Sequence, residues 1–177
     1  MARRVAIVLR GAPGAGKSPV ADALRGHYTL PKSSQVSLDT FWGPGQKRFA
    51  GHCRYWDLRD QPEVLIIELG YGEPHGRSFL GATKNPREWV SILENDGREI
   101  FFFFLQVSED EGRRRKKAKG DPEYPPDVYK RYEGEGECSH VVFSALLGNG
   151  HPEEPIDTEK TNVAGMVDRI ITKVGSV

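Results

Sequence analysis

The sequence has no excess of charge of either sign, few cysteines and no long hydrophobic run. Its 25 lysines and arginines balance 25 aspartates and glutamates, so no overall field draws the chain toward nucleic acid or a membrane. The two cysteines are too few for a disulfide framework and predict a reducing, cytoplasmic setting. No apolar stretch is long enough to cross a bilayer, and the apolar run at residues 5–9 is too short for a signal peptide.

The 177 residues are enough for one well-buried core, so we expect a single domain over residues 1–177. Apolar segments predict five strands, at residues 5–9, 35–38, 64–69, 99–107 and 155–158. Helix-compatible segments lie between most of them, while residues 119–140 are expected to form loop and short helix. This alternation predicts an α/β three-layer sandwich around a mainly parallel five-stranded sheet.

Three helices carry clear terminal or periodic signals. Asn85, Pro86 and Glu88 predict the start of one helix, and Gly97 predicts its end. Ser108, with a glutamate three residues later, predicts a capping box that opens a basic helix. The last helix has apolar residues at helical spacing: Val163, Met166, Val167, Ile170, Ile171 and Val174.

The stretch GAPGAGKS, residues 11–18, matches the phosphate-binding P-loop pattern G-x-x-x-x-G-K-[ST]. An apolar strand precedes it and a helix is expected after it, which is the context that the pattern requires. Its backbone would surround a β-phosphate, Lys17 would bridge the β- and γ-phosphates, and the Ser18 hydroxyl would hold Mg²⁺. The predicted nucleotide-binding residues are Gly11, Gly14, Ala15, Gly16, Lys17 and Ser18.

The residue after the P-loop is Pro19, which has no backbone N–H. A proline is tolerated in the first turn of a helix, where N–H groups have no intrahelical partner. In P-loop proteins generally, the N–H at this position tends to contact the α-phosphate. Losing one charge-assisted hydrogen bond of about 1.5–3 kcal/mol would weaken nucleotide affinity about 10- to 100-fold. The grip on the β- and γ-phosphates does not depend on it.

The P-loop and the order of the other features resemble the small P-loop kinases that include chloramphenicol phosphotransferase, the zeta toxins and the kinase domain of polynucleotide kinase. This resemblance implies a nucleoside-kinase-like fold, ATP and Mg²⁺ as cofactors, and a hydroxyl-bearing acceptor. It implies that Asp39, after the second strand, orients or deprotonates the acceptor hydroxyl; a cap of the following turn is the alternative. Glu68 would orient a Mg²⁺-bound water or the acceptor, or would be a buried structural carboxylate.

The run GRRRKKAKG lies where this group of kinases has an arginine-bearing lid, here expected around residues 108–120. Successive helical positions differ by about 100°, so at most one or two of Arg113, Arg114 and Arg115 can face the phosphates. We take Arg114 as the catalytic candidate. The alternative is a solvated basic face.

The glycine-rich segment 70–86 follows the third strand and is our candidate for acceptor recognition. Arg77, Thr83 and Lys84 could contact the acceptor there, although a structural loop is an equal alternative. The aromatic and basic segment 41–56 could form the other wall of the acceptor site or pack in the core.

Three functions remain open from the sequence. The first is a small-molecule kinase. The second is a 5′-hydroxyl polynucleotide kinase, with the basic residues 113–119 and the pair Lys47 and Arg48 as a nucleic-acid track. The third is a nucleotide-binding protein without transfer activity, in which Pro19 would be a first sign that the site has decayed. No guanine-reading N-K-x-D motif and no four-ligand zinc pattern is present, which argues against a GTPase and a zinc site.

Overall fold

The computed structural model describes residues 3–28, 33–37, 63–69, 86–121, 123–148 and 150–177. These residues contain five strands: β1 (Val5–Arg10), β2 (Ser33–Ser37), β3 (Val64–Leu69), β4 (Glu99–Gln106) and β5 (Glu153–Asp157). They also contain six helices: α1 (Lys17–Tyr28), α2 (Pro86–Asn95), α3 (Glu109–Ala118), α4 (Pro126–Lys130), α5 (His140–Leu147) and α6 (Val163–Val174).

The five strands form one sheet in the order β2-β3-β1-β4-β5, and every neighbouring pair is parallel. The central strand β1 therefore has β3 on one side and β4 on the other. Parallel strands bring their carboxyl ends to the same edge of a sheet, and ligands of such folds bind at that edge. The P-loop follows β1 directly, so it lies at the middle of this edge.

Helices cover both faces of the sheet, and successive residues of each strand supply the two cores in turn. In β1, Ala6 and Val8 pack toward α2, α4 and α5, while Ile7 and Leu9 pack toward α1 and α6. The hydrophobic residues of β1 are fully buried, as is expected of a parallel strand covered on both faces. This confirms the predicted three-layer α/β sandwich with a parallel five-stranded sheet.

The start of α3 shows that the predicted capping box is only half correct. The Ser108 hydroxyl accepts a hydrogen bond from the Glu111 N–H at 3.4 Å, as predicted. The Ser108 N–H, however, donates to Glu159 at 2.8 Å, while the Glu111 carboxylate pairs with Arg114 and Arg115. In a guanidinium–carboxylate pair both partners are charged, an attraction that a bond to a neutral backbone N–H lacks, so the arginines take this carboxylate.

The other helices agree with the sequence in part. Helix α2 begins at Pro86 and is followed by Gly97 in a left-handed conformation (φ +72°), as predicted, while Asn85 and the Glu88 side chain lie outside the described residues. In α6, Met166, Val167, Ile170 and Val174 are buried, but Val163 is 36% exposed because it begins the helix at the loop side. Helix α5, capped by Ser139, was not predicted. Within the described ranges, no helix has the length and apolar character needed to span a membrane.

Candidate functional site

The P-loop joins the end of β1 to the start of α1 and needs glycine at two positions in particular. Gly11 (φ +149°) and Gly14 (φ +79°) adopt backbone conformations that side chains disfavour. Gly11 also lies directly against the backbone carbonyl oxygen of Leu105 in β4, which leaves no room for a Cβ. The loop closes a turn through the Ala15 N–H and the Ala12 carbonyl oxygen, 3.1 Å apart. The loop is therefore wedged against the neighbouring strand.

Helix α1 begins at Lys17, so its N-terminus points into the loop. The Val20 N–H donates to the Gly16 carbonyl oxygen at 3.1 Å, and the N–H groups of a first helical turn before that have no intrahelical partner. Pro19 therefore costs the helix no internal hydrogen bond. The positive end of the helix dipole and the N–H groups near it are suited to an anion.

The Lys17 ammonium lies over the loop. It donates to the Gly11 carbonyl oxygen at 2.8 Å and to the Ala12 carbonyl oxygen at 3.0 Å. These two carbonyls orient the side chain along the loop instead of toward the core. A fixed positive charge thus stands where the N–H groups of the loop and α1 converge.

A pocket of about 500 Å³ opens beside the loop. Five cationic side chains line it: Lys17, Arg114, Arg115, Lys116 and Lys119. Of the described residues that line this pocket, none is acidic. Pro19, Tyr124, Val163 and Met166 add a less polar part of the wall. Such a lining suits a ligand with several negative charges and a planar or apolar portion.

The structure distinguishes the three arginines of α3. Arg115 donates to the Gly14 carbonyl oxygen at 3.3 Å and to the hydroxyl and carbonyl oxygens of Thr158 at 3.0 and 2.8 Å. Arg114 also lines the pocket, but its side chain is 70% exposed and pairs with Glu111. Arg113 pairs with Glu109 and Glu123. Among the described contacts, those of Arg115 reach the P-loop, a distinction that three consecutive arginines do not reveal in a sequence.

Glu111 holds two of these arginines in place. Its carboxylate accepts hydrogen bonds from Arg114 at 2.6 and 2.7 Å and from Arg115 at 2.7 Å. Hydrogen bonds from Arg114 and Arg115 lower the pKa of Glu111 to about 2. The carboxylate therefore stays ionised at neutral pH and keeps both guanidinium groups beside the pocket.

Glu68 lies near the end of β3 with 3% of its surface exposed. It pairs in register with Leu9, two residues before the P-loop. Strand residues alternate between the faces of a sheet, and Val64 and Ile66 pack toward α1 and α6. Glu68 is therefore on the α1 face of the sheet, the side to which Ser18 belongs.

These two residues fit a magnesium ion. Mg²⁺ prefers oxygen ligands, and in nucleotide sites it is held by one or two protein oxygens together with phosphates and water. A carboxylate and a hydroxyl on the same side of the sheet are the kinds of oxygen ligand that such a site uses. Within the described parts of the chain, no group of three or more His, Cys, Asp or Glu residues forms an all-protein metal site.

Apart from Glu68, the predicted acceptor-side residues are not among those the structure describes. Asp39, Arg77, Thr83 and Lys84 lie outside the described residues, as does segment 41–56. Strand β2 ends at Ser37, which pairs with Glu68 in register. Asp39 thus follows the carboxyl end of a strand adjacent to the one that carries Glu68.

No family model matches this sequence, and no curated protein matches it. Solved structures do match over nearly the whole chain. The YorR protein of Bacillus subtilis in complex with phosphorylated GDP has a TM-score of 0.60 at 18% identity, over 96% of this chain and 95% of that one. A sugar kinase from Janibacter sp. has a TM-score of 0.59 at 14% identity, over 97% and 94%.

The Mycobacterium tuberculosis APS kinase in complex with AMPPNP and APS has a TM-score of 0.57 at 16% identity, over 99% of this chain and 100% of that one. The chain has the fold of P-loop kinases. At these identities, the likeness concerns the fold and its topology.

Proposed function

We propose that this chain is an ATP-dependent kinase that transfers the γ-phosphate of ATP to a hydroxyl group of a small molecule. The observation that carries this proposal is the Lys17 ammonium, held over the P-loop by two carbonyl oxygens at 2.8 and 3.0 Å beside a pocket lined by cations. The fold is shared with proteins described as a sugar kinase and an APS kinase, which supports a small-molecule acceptor.

Each part of the site has a role in this proposal. The N–H groups of the P-loop and of the start of α1 bind the β-phosphate, and Lys17 bridges the β- and γ-phosphates. Arg115 and Arg114 line the same pocket, where a guanidinium can bind phosphate oxygens in pairs. Of the two, we assign phosphate binding next to the P-loop to Arg115, because it also contacts Gly14 in the loop.

Ser18 and Glu68 would hold Mg²⁺. When bound, the ion neutralises the charge of the phosphate oxygens. Glu68 is suited to this role because its carboxylate is buried beside the P-loop strand and is fixed by the sheet.

On the acceptor side, we propose that Asp39 orients the acceptor hydroxyl and takes its proton. Arg77 and Thr83 are proposed to bind the acceptor, and acceptor binding is the alternative to Mg²⁺ as the role of Glu68. A carboxylate suits the role of Asp39 because it accepts a hydrogen bond from the hydroxyl and takes the proton as the oxygen attacks.

The test is to incubate the protein with Mg²⁺ and γ-labelled ATP against three sets of acceptors: small alcohols and sugars, nucleosides, and oligonucleotides with a 5′-hydroxyl. Label on a small molecule supports the proposal, and label on the oligonucleotides alone replaces it with a polynucleotide kinase. Nucleotide binding without label transfer to any acceptor supports the nucleotide-binding alternative.

The Lys17→Ala variant is the control that ties the activity to the P-loop. We expect it to lose transfer while remaining folded, since the described hydrogen bonds of Lys17 are to loop carbonyl oxygens. Lys173→Ala, which removes an exposed lysine of α6 that faces Glu154, should leave transfer unchanged. Transfer by Lys17→Ala at the wild-type rate would show that the P-loop does not carry the activity.

A further inference from the structure

Arg10 is a charged residue at the end of an otherwise apolar strand. The other residues of β1 are buried hydrophobic side chains, and Arg10 itself is fully buried (0% exposed). It directly precedes Gly11, the first residue of the P-loop. A guanidinium does not lose its proton in a protein, so burying one is costly unless its donors are matched.

The structure matches these donors closely. The Arg10 Nε donates to Glu153 Oε1 at 2.6 Å and the Nη2 to Oε2 at 3.0 Å, with the two side chains 1% and 0% exposed. The two terminal nitrogens also donate to the carbonyl oxygens of Cys138 and Ser139, both at 3.3 Å. The guanidinium lies 3.5 Å from the centre of the Phe143 ring, and His140 Nδ1 lies 3.0 Å from Glu153 Oε2.

This ion pair spans two strands that do not touch. Strand β4 lies between β1 and β5, and Arg10 passes over the ring of Phe104 in β4, 5.3 Å from its centre, to reach Glu153. Glu153 is the first residue of β5. The pair therefore ties the strand that carries the P-loop to the edge strand of the sheet.

Stability alone does not explain a buried ion pair. Replacing such a pair with apolar residues of similar volume is often neutral or stabilising, whereas removing one partner is strongly destabilising. The pair fixes the direction in which the end of β1 enters the P-loop. The Gly11 carbonyl oxygen, one residue beyond Arg10, accepts the Lys17 ammonium at 2.8 Å.

We propose that Arg10 and Glu153 are positioning residues of the P-loop. Their ion pair holds the end of β1 so that the Gly11 and Ala12 carbonyls keep the Lys17 ammonium where nucleotide phosphates bind. The part of this inference that concerns nucleotide affinity rests on the proposed function. The part that concerns loop geometry does not.

The test is the double variant Arg10→Met, Glu153→Leu, which removes both charges and fills their space with apolar side chains. We expect it to fold and to melt within a few degrees of the wild type. Amide hydrogen exchange over residues 11–17, measured without nucleotide, should be at least about tenfold faster, and ATP affinity should fall about tenfold or more, since small displacements of a positioned group have large effects.

The matched control is the double variant Arg3→Met, Glu99→Leu. It removes the ion pair at the other end of the sheet, where Arg3 Nη2 lies 2.6 Å from Glu99 and both side chains are partly exposed. This variant should keep the wild-type loop exchange and ATP affinity.

A folded Arg10→Met, Glu153→Leu variant with wild-type loop exchange would overturn the proposal. If that variant does not fold, Glu153→Gln replaces it, because it keeps an acceptor for Arg10 while removing the negative charge; wild-type loop exchange in Glu153→Gln would then overturn the proposal. If the wild-type protein binds no ATP, the proposed function fails, and the loop exchange alone decides the role of Arg10 and Glu153.

Discussion

Gly14 of the P-loop and Gly112 of α3 pack backbone against backbone: a Cβ on Gly14 would lie 2.5 Å from the Gly112 carbonyl oxygen. Arg115, one turn further along α3, adds its hydrogen bond to the Gly14 carbonyl oxygen. The first turn of the basic helix thus packs directly against the P-loop and helps to hold it in place. We expect any closing movement of the predicted lid at residues 108–120 to begin beyond Gly112.

The first prediction concerns this contact. A Cβ on Gly112 would lie 2.6 Å from Tyr129 Cε1 and 2.8 Å from the Pro13 carbonyl oxygen, so Gly112→Ala must displace the helix or the loop. We expect a loss of about 1–3 kcal/mol in the free energy of unfolding, measured by chemical denaturation, and weaker ATP binding.

Gly26→Ala is the matched control for Gly112→Ala. A Cβ on Gly26, an exposed residue of α1, meets no atom within 4 Å. This substitution should stabilise the protein by about 0.5–1 kcal/mol, because alanine is the better helix former. Equal effects of the two substitutions would contradict the packing described between α3 and the P-loop.

A second prediction separates two arginines of α3. Arg115 contacts both the P-loop and Thr158, while Arg114 is 70% exposed. Arg115→Ala should therefore weaken ATP binding by about tenfold or more, the worth of a charged hydrogen bond, and Arg114→Ala should weaken it less. Calorimetric titration of ATP into each variant measures this. A larger loss in Arg114→Ala would favour the catalytic role predicted for Arg114 from the sequence.

The third prediction concerns Pro19, which lines the pocket at the first turn of α1. Pro19→Thr restores a backbone N–H where an α-phosphate would lie, so nucleotide affinity should rise about 10- to 100-fold with little change in the rate of transfer. Pro126→Thr makes the same change at the exposed first residue of α4, which is not among the described residues that line the pocket, and should leave affinity unchanged. Unaltered affinity in Pro19→Thr would mean that another contact already compensates for the missing N–H.

The fourth prediction tests the proposed acceptor-side base. Asp39→Asn keeps the size of the side chain but lowers its proton affinity, so single-turnover transfer should fall about 10²- to 10⁴-fold while ATP affinity barely changes. If Asp39 only caps a turn, the variant should instead lose about 0.5–2 kcal/mol of stability with an unchanged rate. The melting temperature and the single-turnover rate, measured on the same sample, distinguish these outcomes.

Local signals were sufficient to predict most of the fold. Continuous apolar runs predicted the central strands, and the spacing within GAPGAGKS predicted the loop between β1 and α1. Helix α5 was missed because its sequence, HVVFSALL, is apolar at nearly every position and so has no helical period. The capping box at Ser108 was half wrong because the competing partners, Arg114 and Arg115, act through charge.

Contacts between distant residues could not be predicted from the sequence. Arg10 and Glu153 are separated by 143 positions, and nothing in either local sequence indicates that they meet. The choice among three consecutive arginines depends on the rotation of α3 about its axis, which is set by the packing of Gly112 against the P-loop. Both features depend on tertiary packing and not on local sequence pattern.

The position of β5 bears on how readily the sheet could pair with a strand of another molecule. Among the described strands, β5 forms one edge of the sheet, and Pro155 is its middle residue. An edge strand is a template for strands of other molecules, but proline offers no N–H for such pairing and is found in sheets mainly at edges. Pro155 thus makes this edge of the sheet a poor template for β-aggregation.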